Sequence, residues 1–577
     1  MNLRSLRWYP ATGPAFRGLS PVVLLALLLA VAFAPTAGAA AVAPPSRTEP
    51  MERYQDPPGI PATAVRATRA ASSITFNGYT SIQVNVNASQ QDIIGDAANE
   101  PSIVVDPNNH NRMVIGWRQF DTIASNFRQA GFGFTSNGGA TWSTGKINAG
   151  VFRSDPVLDA DGSGHFAYNS LRQTLNSDVF ESSNGTTWGP AVAAFGGDKQ
   201  WMKIDRGLNN FYQAWSTAGN NYAPKTFNKS IDDGASFGAP DSLPSSPVWG
   251  TLDVALDHTL YLVGWGDSVV CNICVERSTD AQNHVLTAPT FAYHDVDLGG
   301  MITTGGPNPV GLLGQLWIAV DRSNTSHAGW VYVLASVVTP TDPLDIHFIR
   351  SIDNGQTWTA PLRVNDDPIG NRAFQWFGTM SVSPSGRIDA IWNDTRGSAD
   401  STISALFYSY SVDAGAHWSP NVQVTPTWSS TVGWPNQQKI GDYYTTVSDN
   451  AGADVAYAAT FNGGQNVYYL RIPNTAAVAV GPTPEVGTWL TNAPNPFTKS
   501  TLISFDAPVA GEWARVTVLD IAGRHVATLL DRFVIGAGQS VVWDGRRDGG
   551  ARAPAGVYFC RLEAAGHAEM HRLLRLE

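Results

Sequence analysis

Short apolar runs recur along most of the chain, and each is stopped by Asp, Asn or Gly within a few residues. The clearest family is a run that ends in an acidic or turn residue. It reads Glu100-Pro-Ser-Ile-Val-Val-Asp106, Asp155-Pro-Val-Leu-Asp-Ala-Asp161, Lys199-Gln-Trp-Met-Lys-Ile-Asp205, Thr251-Leu-Asp-Val-Ala-Leu-Asp257, Gln315-Leu-Trp-Ile-Ala-Val-Asp321, Phe377-Gly-Thr-Met-Ser-Val-Ser383 and Tyr443-Tyr-Thr-Thr-Val-Ser-Asp449. Runs of this length, bounded by turn residues, predict strands rather than helices. A second strand that often ends near Trp follows each of them.

A second pattern alternates with the first, Ser/Thr-x-Asp-x-Gly-x-Thr-Trp, clearest at Ser351-Ile-Asp353-Asn-Gly355-Gln-Thr357-Trp358. Variants are Thr135-Ser-Asn137-Gly-Gly139-Ala-Thr141-Trp142, Glu181-Ser-Ser183-Asn-Gly185-Thr-Thr187-Trp188, Ser230-Ile-Asp232-Asp-Gly234-Ala-Ser236-Phe237 and Ser411-Val-Asp413-Ala-Gly415-Ala-His417-Trp418, with a degenerate sixth at Ser278-Thr-Asp280. The spacing suits a hairpin turn. The carboxylate accepts from turn backbone, Gly supplies positive φ, and the aromatic packs between sheets. Because Asn137, Asp232, Asp353 and Asp413 stand in equivalent places, the pattern assigns them a structural role.

These boxes resemble the Asp-box (BNR) repeats of sialidases and related β-propellers, which implies an all-β propeller. The seven inner-strand copies predict seven blades, with six, the usual sialidase number, as the alternative. The last copy stops near Ile472 one strand short. The early strand Ser81-Ile-Gln-Val-Asn-Val-Asn87 resembles the post-box strands Asn421–Thr425 and Pro361–Asn365, and is expected to close that blade. Such closure hides two sheet edges.

Beyond the repeats lie Asn492-Ala-Pro-Asn-Pro-Phe497, Val516-Thr-Val-Leu-Asp520, Val541-Val-Trp-Asp-Gly545 and Gly556-Val-Tyr-Phe-Cys-Arg561. These resemble the immunoglobulin-like domain related to the flagellar hook-capping protein and the C-terminal sorting domains of type IX secretion substrates. The resemblance implies a small β-sandwich for export or surface attachment. The expected organisation is a signal peptide over 1–39, a flexible leader over 40–72, the propeller over 73–473, a linker over 474–488 and the immunoglobulin-like domain over 489–577.

Composition narrows the function. Arg4, Arg7 and Arg17 precede an apolar heart from Val22 to Ala34 and the small-residue run Ala37–Ala40, the form of a secretory signal peptide. The heart is shorter than the roughly 20 residues of a spanning helix. No other segment is apolar enough to cross a membrane, so a secreted or cell-surface, extracytoplasmic location is expected. The net charge of −11 argues against nucleic acid as a partner. Cys271 and Cys274 could close a local disulfide, and Cys560 reads as a buried thiol. The scattered His165, His258, His294 and His327 lack metal-ligand spacing. No cofactor and no metal are expected.

In a propeller blade the first strand begins where the second ends, because neighbours are antiparallel. Glu100, Asp155, Lys199, Gln315 and Tyr443, with Asp198, Gln375, Trp376, Asp442, Arg118, Arg172, Asp394 and Arg396, should therefore gather around one channel mouth, opposite the box turns. Arginines there can hold a carboxylate, acids can bond hydroxyls, and Trp201, Trp317 or Trp376 can stack on a ring. The sialidase resemblance implies Arg118, Arg172 and Arg396 on a sugar carboxylate, Tyr443 as nucleophile, Glu100 as its partner and Asp155 as acid. Sialidases are the tyrosine exception among glycosidases. The family's Phe/Tyr-Arg-Ile-Pro signature is not found at the first arginine. The expected function is action on, or recognition of, an extracellular glycan or glycoprotein, with an exo-glycosidase and a non-catalytic glycan- or protein-binding surface propeller as the two forms. Secretion or surface-attachment machinery is the second expected partner, through the C-terminal domain.

Overall fold

The computed structural model describes residues 66–266, 270–285, 287–474, 490–505, 512–534, 539–564 and 567–576. The expected signal peptide, most of the leader and nearly all of the linker lie outside them. The chain divides into two compact units, Met1–Ile472 and Pro473–Glu577. No helix occurs among the described residues, and none long and apolar enough to cross a membrane is present there.

In the first unit, six sheets are each built on four consecutive antiparallel strands. The first sheet runs Ala97–Val105, Met113–Phe120, Gln129–Thr135, Ser143–Ile147, and the pattern repeats from inner strands Ser154–Ala160, Trp201–Asp205, Leu252–Val254, Trp317–Val320 and Gln375–Val382. The inner strands neighbour one another in chain order. The last, Thr445–Asp449, neighbours the first, so the order is cyclic. The architecture is all-β and is that of a β-propeller.

The final sheet is completed from the other end of the unit. Tyr79–Gln83 pairs with Asn466–Pro473, with Ser81 opposite Leu470 and Gln83 opposite Tyr468. The seam is polar as well as apolar: Tyr457 donates to Ser81 Oγ at 2.6 Å, and Asn85 bridges Asn466 and the Val467 N–H. Two outer strands were not expected. Ser73–Phe76 extends this sheet, and Thr68–Ala70, inside the segment expected to be a flexible leader, pairs with Gln91–Ile93.

The repeated turns are stapled as their spacing suggests. Asp353 Oδ1 accepts from Ser351 Oγ at 2.8 Å and from the Thr357 N–H at 2.8 Å, and Oδ2 accepts from Thr357 Oγ1 at 2.6 Å. Asn137, Asp232 and Asp413 make the same two Oδ1 bonds in their turns. In the second copy the staple is one residue shorter. Ser182 and Asn184, rather than Glu181 and Ser183, supply the hydroxyl and the acceptor. In the degenerate sixth, Asp280 Oδ1 reaches across an insertion to the Thr290 N–H at 2.9 Å.

The second unit holds a three-stranded sheet, Leu490–Ala493, Thr501–Phe505 and Gln539–Trp543, and a four-stranded sheet built on Glu512–Asp520 and Gly556–Ala564. Its core, around Phe497, Val516, Trp543, Tyr558 and Cys560, consists of its own residues.

Candidate functional site

Near the heads of the inner strands, five non-glycine residues at equivalent places adopt left-handed backbone: Glu100 (φ 52°), Asp155 (49°), Lys199 (57°), Trp249 (55°) and Phe377 (60°). Such residues cost on the order of 1–3 kcal/mol each and persist only where their surroundings over-determine them. Trp249 corrects the expected register of the fourth copy, which had begun at Thr251. Asp159 and Asp253 each accept from the backbone of the next sheet, at Ile204 and Val320, both at 2.9 Å, so Trp249 is the counterpart of Asp155.

The ring brings Glu100, Asp155, Lys199, Asp442, Tyr443 and Arg118 together in one charged cluster, from strands more than 300 residues apart. Arg118 Nε lies 3.0 Å from Glu100 Oε2, and Lys439 Nζ lies 3.6 Å from Oε1, as charge contacts rather than directed hydrogen bonds. Lys439 and Lys199 both meet Asp442 Oδ2 at 2.7 Å. Lys199 continues to Asp198 at 3.5 Å and Asp155 at 3.8 Å. In these contacts four carboxylates meet three cations. Burial above all raises Glu100 to about 8, with Asp442 and Asp155 adding to the rise and Arg118 and Lys439 opposing it.

The cluster is sealed. Glu100 and Arg118 have no exposed surface, and Asp155 and Asp442 have 1% each. Segments from elsewhere close over them: the Leu312 N–H donates to Asp442 Oδ1 at 2.9 Å, and Asn308 donates to the Gly441 carbonyl at 2.8 Å. Gly441 itself lies so close that a Cβ would stand 2.6 Å from Glu100 Cγ. Its φ of 99° suits glycine alone.

Tyr443 lies within this cluster, with its hydroxyl donating to the Pro156 carbonyl at 2.8 Å. Burial foremost, and then Glu100 and Asp155, push its pKa well above 10. A nucleophilic phenol needs the opposite shift. Below it, Trp201 packs edge-on against both Tyr443 and Trp317, each at 5.1 Å, forming an aromatic floor.

Other expected site residues stand apart. Arg172 is bonded to Asp178, which it shares with Arg153. Arg396 is held by Asp366, Asp367 and Asp394, and Gln375 donates to Asp367 and Asp394 at 3.2 Å. Arg118, Arg172 and Arg396 therefore sit in three separate acidic settings. Trp376 is fully buried, donates to Ser404 and packs against Phe377 and Trp428, so no ring face is offered to a ligand. Gln315 is buried, with neither amide atom hydrogen-bonded.

An open space lies on the other side of the aromatic floor. A cavity of about 280 Å³ is lined by Trp201, Trp317, Met202, Ser102, Thr251 and Ser448, with Lys203, Asp159, Asp253, Arg206 and Arg322. Arg206 and Arg322 lie one and two residues past the ends of their inner strands, at the end of the sheets that carries the box turns. Sequence reasoning missed these cations and Lys439. The signal for two of them was present: Ile204-Asp205-Arg206 and Val320-Asp321-Arg322 repeat at the end of the inner strand.

Two further groupings were also not foreseen or left open. His110, Asp449 and Asp454 come together, but Arg471 bonds both carboxylates, at 2.6 and 2.8 Å, and supplies the positive charge a cation would bring. Cys271 and Cys274 form a disulfide, and Cys560 is a buried free thiol.

The fold and site define an all-β protein of cyclically ordered four-stranded sheets, with a sealed ion-pair cluster on one side of an aromatic floor and an open cavity on the other. No family model matches the chain, and no curated protein matches it. Among solved structures it is similar to a protein of unknown function from Dyadobacter fermentans, at 12% identity over 70% of this chain and 98% of that one, with a TM-score of 0.39. It is similar to Trypanosoma rangeli sialidase at 11% identity, over 87% and 89%, with a TM-score of 0.32. It is also similar to PorZ, a surface component of the type IX secretion system of Porphyromonas gingivalis, at 13% identity, over 89% and 75%, with a TM-score of 0.29.

Proposed function

We propose that the chain is an exported, seven-bladed Asp-box β-propeller that recognises an extracellular glycan without cleaving it. Residues 489–577 act as an immunoglobulin-like domain for export or surface attachment. The mature protein works outside the cytoplasm, with the secretion or attachment machinery as its second partner.

The observation that carries the non-catalytic reading is the sealing of the Glu100 cluster. A sialidase-like reaction needs substrate between an arginine triad, a tyrosine and an acid. Here Arg118 and Tyr443 are spent on internal partners, and Arg172 and Arg396 belong to other acidic groups. A phenol pushed well above 10 by burial is a poor nucleophile at neutral pH. The open cavity, with hydroxyls, cations and indole walls, has chemistry suited to a saccharide, and its two carboxylates, Asp159 and Asp253, are each engaged by a backbone N–H and an arginine.

The mature full-length protein should be screened against sialosides and a broad glycan array, measuring both retention and sugar release. Retention of at least one glycan class with no released sugar is expected. Release of sialic acid that Tyr443→Phe abolishes would establish the hydrolase instead, and retention of no glycan would remove the recognition role.

A further inference from the structure

We propose that the cavity mouth formed by Lys203, Arg206 and Arg322, on the side of the box turns and away from the Glu100 cluster, binds the carboxylate or sulfate group of an acidic saccharide. The saccharide part of this assignment rests on the glycan reading above; the anion part rests on the geometry alone.

Arg206 and Arg322 are repeats of one device. Arg206 Nε donates to the Ala160 carbonyl at 3.1 Å and its Nη2 meets Asp159, while Arg322 Nε donates to the Val254 carbonyl at 2.7 Å and its Nη2 meets Asp253. Each guanidinium is therefore fixed by one edge to the preceding sheet. Its Nη1 is left without a protein partner, and the two side chains are 43% and 36% exposed. Lys203 stands between them, 3.2 Å from Asp159 and 3.9 Å from Asp253. All three cations also border a second cavity of about 250 Å³ that continues past Leu256 and His258.

The two carboxylates at the mouth have little left to offer a ligand. Asp159 accepts from the backbone N–H groups of Ala160 and Ile204, both at 2.9 Å, and Asp253 accepts from the Val320 N–H at 2.9 Å, besides their ion pairs. Burial works against the charged form of Asp159, but Lys203, Arg206 and these N–H groups outweigh it, so its pKa is lowered and it stays ionised. Asp205, which lines the second cavity, accepts from the Gly207 N–H at 3.0 Å and pairs with His258 at 2.8 Å. The mouth thus presents the outward donors of its guanidinium groups against carboxylates that are already bonded, an attraction for an acceptor-rich anion.

A second observation points the same way. Ser448 is 9% exposed, lines the cavity wall, and its hydroxyl oxygen is buried with no hydrogen-bond partner. An unmet buried hydroxyl in a polar cavity marks a place where a ligand atom completes the bonding. With Trp201 and Trp317 behind it, the space offers a charged rim, a hydroxyl and an apolar wall.

The test uses the mature full-length chain and titration calorimetry with a hexuronate trisaccharide and a sialyl trisaccharide, with lactose as the neutral control. An acidic trisaccharide should bind, lactose should not, and the affinity should fall as salt is raised. Arg206→Gln and Arg322→Gln should each weaken binding at least tenfold. Arg322→Lys, which keeps the charge but not the fork, should lie between, and Tyr443→Phe, on the sealed side, should leave binding unchanged. Thermal unfolding of each variant separates loss of the site from loss of the fold, and Ser448→Ala gives a variant that leaves every ion pair in place. Crystals soaked in selenate supply the second arm, with an anomalous peak expected between the two guanidinium groups. Acidic saccharides that bind with equal affinity to wild type and both Gln variants would overturn the site. Binding of neutral saccharides alone would overturn it while leaving glycan recognition standing. Selenate at the guanidinium pair without binding of any saccharide would keep the anion site and remove the glycan reading.

Discussion

At the scale of the residue, the buried acids set how stability depends on pH. Glu100 moves from an ordinary 4.5 to about 8 on folding, so between those values the folded chain keeps a proton that the unfolded chain has released. Its stabilising contribution is full below about 4.5 and is lost as pH rises through about 8. Asp96 and Glu276, each raised to about 7 with burial as the main cause, act in the same sense. Asp353 acts in the other. Its bonds from the Thr357 hydroxyl and N–H and from Ser351 hold it at about 2, so its contribution is present above the ordinary 3.8 and lost as pH falls through about 2. Asp413 is also lowered to about 2, where burial is outweighed by the His417 N–H and ring and by Ser411. Stability should therefore peak in the mildly acidic range and decline on both sides. Glu100→Gln preserves the shape of the neutral form, so denaturant midpoints measured from pH 3 to 9 should show a shallower decline above about pH 5 and an unaltered acid limb. Equal slopes in the variant and the wild type would mean that Glu100 is ionised at neutral pH.

At the scale of the element, the seam between the two ends of the first unit makes a sharp case. Val84 is fully buried in a cluster with Trp117, Trp142 and Tyr469, and its N–H donates to the Val467 carbonyl at 2.8 Å. Val84→Ala should cost on the order of 1–3 kcal/mol in urea unfolding. Val412→Ala, the same change at a position 65% exposed, should stay within about 0.5 kcal/mol. Equal effects would mean that the N-terminal strand is not docked in solution. This seam was legible because Ser81–Asn87 carries the alternation of the post-box strands, and a repeat missing one strand demands a donor. The shifted register at Trp249 and the shortened second turn were not legible, since a residue count from the terminal Asp cannot see where a bulge falls. The candidate site was legible in half. Antiparallel alternation put Glu100, Asp155, Lys199, Tyr443 and Arg118 at one mouth. Whether that mouth is open depends on Asn308, Leu312 and Gly441, whose closure over Asp442 and Glu100 is a long-range contact without local periodicity. Trp376 shows the same limit, because a Trp at a strand head reads alike whether it faces solvent or packs on Trp428.

At the scale of the whole molecule, two compact units with separate cores imply separable tasks. Every residue of the core around Trp543 and Tyr558 comes from the second unit, while the inner-strand core around Trp201, Trp317 and Trp392 comes from the first. The first unit also closes its own cycle, since the strand that completes its last sheet is Tyr79–Gln83 and not a segment of the second unit. A chain ending at Ile472 therefore loses no ladder partner of the cyclic sheets. It should unfold cooperatively, with a midpoint within a few degrees of the full chain's first-unit transition by calorimetry, and should keep any saccharide affinity. If residues 489–577 carry the address, the same truncation expressed in a producing bacterium should leave the protein inside the envelope, while the full chain reaches the surface or the medium. Fusing 473–577 to an unrelated exported reporter should redirect the reporter in the same way. A truncated chain that folds, binds and is still delivered would make the second unit a stabilising appendage. A truncated chain that fails to unfold cooperatively would mean that the cyclic sheets depend on the second unit for stability, despite their separate cores.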